Sequence, residues 1–62
     1  MKLSKEKLDW LLYIGAIEER RNDLQYYVPS TDMYYSEWYI EKTPLEELKV
    51  KHERNLAFMK KD

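Results

Sequence analysis

The stretch Leu8–Val28, LDWLLYIGAIEERRNDLQYYV, decides the fold, because it holds the only glycine of the chain and its hydrophobic period changes on either side of it. Before Gly15 the apolar residues recur at helical spacing. On a wheel Leu8, Trp10, Leu11, Leu12 and Ile14 cover a broad arc, and Lys5, Glu6, Asp9 and Tyr13 take the complementary one. This predicts a helix that is mostly buried. Gly15 stands where helices end in a left-handed residue, a conformation that costs glycine nothing because it has no Cβ. Ser4 is the natural N-cap, with Glu6 in the first turn where the helix dipole favours an anion.

After Gly15 the chain reads as two short β runs around Asn22-Asp23, residue types that tolerate a tight hairpin turn. A two-residue turn there sets Arg21 opposite Leu24, Glu19 opposite Tyr26 and Ile17 opposite Val28. Ile17, Leu24, Tyr26 and Val28 then share one face, and Ala16, Glu18, Arg20, Gln25 and Tyr27 share the other. A slip of one residue stays open, since Asn-Asp is a weaker turn than Asn-Gly. Pro29 closes the second strand because it has no N–H for a ladder.

The following segment, STDMYYSEWYIEKT (30–43), reads two ways. As a strand it puts Tyr34, Ser36, Trp38 and Ile40 on one side, with Met33, Tyr35, Glu37, Tyr39 and Glu41 on the other. As a helix capped by Ser30 or Thr31 it gathers Tyr34, Tyr35, Trp38 and Tyr39 but strands Ile40. Aromatic and β-branched content favours the strand. The last segment is a helix from Pro44 to about Lys60. Thr43 and Glu46 form a capping box around a proline at the first helical position, and Lys60 and Lys61 complement the dipole at the far end. Leu45, Leu48, His52, Leu56 and Met59, flanked by Asn55, make a narrow stripe, with Val50, Ala57 and Phe58 elsewhere.

The sequence therefore specifies an α+β fold over residues 1–62: a small single domain with an N-terminal helix, an antiparallel β-hairpin or three-stranded meander, and a C-terminal helix. A chain of 62 residues buries only about 60% of the surface its unfolded form exposes, so its stability margin is thin. With no cysteine, support comes from packing or from a partner. The longest apolar run, Leu11–Ile17, is far below the roughly 18 residues of a membrane span. The N-terminal charges do not suit a signal peptide. A soluble, unprocessed, cytoplasmic protein is expected, with no membrane association.

Catalysis and metal binding lack the residues they need. His52 is the one histidine, with Leu48, Lys49, Asn55 and Leu56 as its helical neighbours, so no zinc pair can form. It reads as a core or boundary histidine, or as a contact sensitive to pH near neutrality. Glu18-Glu19 would point to opposite faces of a strand, and Glu46-Glu47 belong to a helix start. One glycine cannot make a phosphate loop. Neither an enzyme nor a cofactor is expected.

Eleven basic and twelve acidic side chains sum to −1, and neither sign concentrates in any segment. A nucleic-acid binder normally carries a basic face, so nucleic acid is not an expected partner. What stands out is nine aromatics, 15% of the chain, most of them between Tyr26 and Tyr39. Either they are the large core of a small fold or some form a contact surface, since Tyr and Trp dominate binding hot spots. The candidate partner-binding residues are Tyr27, Tyr35 and Tyr39 on the outward side of the sheet, with Trp38 and Phe58.

These features point to a non-enzymatic module that binds another protein or a second copy of itself. In composition the chain is similar to the small accessory modulators of host proteins that phages and bacterial mobile elements encode. Two alternatives stay open. A helix followed by a hairpin resembles part of a winged helix, which would imply a nucleic-acid-binding transcriptional regulator, although only one helix precedes the hairpin. A structural subunit of a homo-oligomer, paired through the narrow C-terminal stripe, is the other.

Overall fold

The computed structural model describes residues 3–60. Helix α1 (Lys5–Tyr13) leads into strands β1 (Ile17–Arg20), β2 (Leu24–Val28) and β3 (Met33–Ser36), then helices α2 (Glu37–Lys42) and α3 (Leu45–Met59). The strands form one antiparallel meander in the order β1-β2-β3. This is the expected α+β arrangement in its three-stranded form, with a short extra helix.

The turn at Gly15 is built as its sequence requires. Ser4 caps α1 by accepting the Lys7 N–H at 3.2 Å. At the other end Gly15 takes φ +77°, its N–H donates to the Leu12 carbonyl, and the Ala16 N–H donates back to that of Leu11. This pair of bonds is a Schellman ending, and it satisfies carbonyls the helix would otherwise leave free. The expectation of deep burial fails, however. Only Trp10 and Leu11 are buried in α1, while Leu12 is 77% and Leu8 42% exposed. A sheet of three short strands offers too narrow a platform to cover so broad an apolar arc.

The hairpin uses the slipped register. Arg20, not Arg21, lies opposite Leu24, and the pairs Glu19–Gln25, Glu18–Tyr26 and Ile17–Tyr27 follow. Three residues, Arg21 to Asp23, form the connection, and the additional residue reverses every side chain of β1. Ile17 therefore faces outward at 51% exposure, and Ala16 packs against the core. The β2 face holds as read: Leu24, Tyr26 and Val28 point inward.

Segment 30–43 resolves into both readings, divided at Ser36. Up to that residue it pairs with β2, matching Tyr26 with Tyr35 and Tyr27 with Tyr34. Ser36 then caps α2, its Oγ accepting the Tyr39 N–H at 3.1 Å, so that Ile40 swings under the sheet and is fully buried. Neither Ser30 nor Thr31 caps a helix. They belong to the β2–β3 turn, which closes through Asp32 at φ +54°. At the far end of α2 the Lys7 ammonium donates to the carbonyls of Ile40 and Glu41 at 2.7 and 3.0 Å. A cation there complements the negative end of the helix and ties α1 to α2.

The capping box at the start of α3 does not form. Thr43 closes α2, with ψ at 132°, the extended conformation favoured before proline. Pro44 is itself the N-cap and makes no side-chain bond. Lys60 sits at the C-cap, and Lys61 lies outside the described residues.

One cluster joins the elements. Trp10 and Leu11 from α1, Ile40 from α2 and Leu48 from α3 meet Tyr26, Val28 and Tyr35 on the inner face of the sheet, with Leu3 at its margin. Leu45 and Met33 pack at its edge. His52 is buried and presents its ring edge-on to Trp10 at 5.9 Å. Its Nδ1 and the Oγ1 of buried Thr31 find no hydrogen-bond partner among the described residues. The α3 stripe is thus buried at Leu48 and His52, half-buried at Leu56, and exposed at Met59 where the helix overhangs the body.

Candidate functional site

Among the described residues the three helices pack on one side, and the opposite face of the sheet is open. Strand parity fixes its content: Ile17 and Glu19 from β1, Gln25 and Tyr27 from β2, Tyr34 and Ser36 from β3. None of these belongs to the core cluster. Tyr27 and Tyr34 are directly opposed across the strands, and their rings pack at 4.7 Å with a 42° tilt, within the range in which aromatic pairs attract. Tyr34 remains 55% exposed. Tyr27 is held from beneath, its hydroxyl donating to Asp32 Oδ1 at 2.8 Å. That bond is made only by the protonated phenol and raises it above its usual value of 10.0, and desolvation and the negative charges of Asp32 and Glu19 act in the same sense.

Beside the ring pair, Tyr34, Gln25, Glu19, Arg21 and Asp23 enclose a shallow depression. Asp23 also borders an adjoining cleft with Leu24, Ser36, Glu37 and Trp38. Trp38 is 65% exposed, and the Lys42 ammonium lies 5.7 Å from its ring centre. The aromatic surface therefore continues from the sheet onto the first turn of α2.

The predicted site residues divide. Tyr27 and Trp38 lie on this surface. Tyr35 does not: it is 4% exposed on the inner face, where desolvation raises its hydroxyl, while Asn55 Nδ2 donates to that oxygen at 3.3 Å. The expectation that it points outward is corrected by the pairing of Tyr27 with Tyr34, which makes Tyr34 the partner on the open side. Tyr39, also expected outward, is half-buried. It stacks on Tyr35 at 5.7 Å and 19°, beneath the Lys51 ammonium. Phe58 is 75% exposed on the overhanging part of α3, away from the sheet. Tyr34 and Ile17 were missed, and both omissions trace to strand parity.

Among the described residues no group of three potential metal ligands converges, and no helix is long and apolar enough to cross a membrane. In comparisons with known proteins the chain matches no family model, no curated protein and no solved structure.

Proposed function

We propose that this chain is a small binding module without catalytic activity, acting in the cytoplasm, which docks another protein on the open face of its sheet. A modulator of a host protein, of the kind phages and mobile elements encode, is the biological role this reading fits. One observation carries it. A tightly paired Tyr27–Tyr34 couple stands on a sheet face that none of the described helices covers, with Tyr34 more than half exposed. Leaving Tyr34 exposed against a half-buried Tyr27 forgoes burial that a domain of this size needs, and such rings are the residue types that anchor interfaces.

The test is affinity capture from host lysate with the native chain and Tyr34→Ala in parallel. A defined partner retained by the first and lost by the second, at equal melting temperatures, supports the reading. Equal capture by both removes it. A homo-oligomeric subunit is a second reading, favoured by the exposed Leu8 and Leu12 of α1. Light scattering showing a monomer at high micromolar concentration would eliminate that one.

A further inference from the structure

The open face also carries an electrical character, which narrows the chemistry of what can sit on it. Glu19 and Asp23 border the depression beside Tyr34, and Asp32 stands under Tyr27, against Arg21 as the one cation among the described residues lining that depression. An aromatic wall with carboxylates around it attracts a cation twice, through the ring quadrupole and through charge. It repels a phosphate backbone. It also disfavours a second copy applied through the same face, because two surfaces of the same net negative sign would be brought together.

Size narrows the form of the partner. Strands of four and five residues, at about 3.3 Å per residue and about 4.8 Å apart, make a face of roughly 200 Å². A standard interface takes about 800 Å² of accessible surface from each partner, so the sheet face by itself would supply only part of a contact with a flat protein surface. A short segment would be covered well. Adding that segment as an extra strand along β1 is opposed by the run Glu18, Glu19, Arg20 and Arg21, charges of the kind that guard sheet edges.

Resting on the docking-module reading, we infer that the occupant is a short cationic segment of another protein, which lays a lysine or arginine side chain against Tyr34 between the carboxylates of Glu19 and Asp23. The probe is a library of random dodecapeptides displayed on phage, selected on the immobilised full chain and counter-selected on Tyr34→Ala. Recovered sequences should be enriched in Lys and Arg. A synthetic peptide from that set should lose at least tenfold in affinity to the double variant Glu19→Gln/Asp23→Asn, and should weaken as salt rises. Circular dichroism of the variant must match that of the native chain; if it does not, each single variant is measured in its place. Neutral or acidic peptides that bind the native chain and not Tyr34→Ala would overturn the cationic assignment while leaving the docking face intact. Recovery of nothing that depends on Tyr34 would overturn both. Concentration-dependent self-association lost in Tyr34→Ala would assign the face to a second copy and overturn the inference as well.

Discussion

Gly15 does what no other residue type can do at low cost. It holds φ +77° with open space where a side chain would be, so the penalty for replacing it is purely one of backbone conformation. Gly15→Ala should cost about 1–2 kcal/mol in urea denaturation, and Gly15→Asn distinctly less, because Asn tolerates the left-handed region. A loss much larger than this for the Ala variant would mean that a contact had been broken. Tyr26 and Tyr35 make a second residue-scale case. Burial raises both phenols above 10.0, and for Tyr26 the nearby carboxylates of Glu18 and Glu37 add to it. The folded chain holds these protons more tightly than the unfolded one. Their contribution is therefore complete below about pH 10 and is lost as pH rises through and beyond the folded values. Stability followed by denaturant midpoint should fall above pH 10, and Tyr35→Phe should make that fall shallower.

At the scale of elements, what was legible depended on whether a local signal was free to act. α1 and its ending were readable because Ser4, Gly15 and the helical spacing agree, and all of them act within a few residues. The register of β1 was not. Two- and three-residue connections differ by one residue, and Arg21-Asn22-Asp23 carries no glycine to force the shorter turn. That single step decided whether Ile17 or Ala16 faced the core, and the matching step in β3 decided between Tyr34 and Tyr35. Segment 30–43 resisted a single reading because it is two elements with a cap hidden between them. Ser36 is the last residue of β3 and the N-cap of α2 at once. The capping box at Thr43 failed because Pro44 takes ψ 146°, outside the helical range, so α3 starts at Leu45 and Thr43 stands one residue too far out to cap it. Because Ser36 is the junction, Ser36→Ala should cost about 1 kcal/mol in urea denaturation. Amide exchange should accelerate first in Glu37–Lys42 and leave β1–β2 protected; uniform acceleration would mean that α2 has no local stability of its own.

Across the whole molecule, the described helices lie on one side and leave a sheet with one covered and one open face, so the proposed docking role is separable from structure by mutation. The inner face works with a narrow margin: at roughly 0.05–0.15 kcal/mol per residue, a chain of 62 residues has about 3–9 kcal/mol of stability. Ile40, fully buried between α2 and the strands, should cost about 2–5 kcal/mol as Ile40→Ala. A loss of about 5 kcal/mol would exceed the lower half of that stability range, whereas a loss of about 2 kcal/mol would leave the chain folded at 25 °C. On the outer face, Tyr34→Ala removes a ring that packs on Tyr27 and lies outside the core cluster, and should cost no more than the roughly 1 kcal/mol of an exposed cross-strand pair. Denaturant midpoints of the two variants, measured side by side, decide the matter. A Tyr34→Ala loss as large as that of Ile40→Ala would mean the open face is a second core completed by contacts within the chain, and a surface that the fold needs for itself cannot be reserved for a partner.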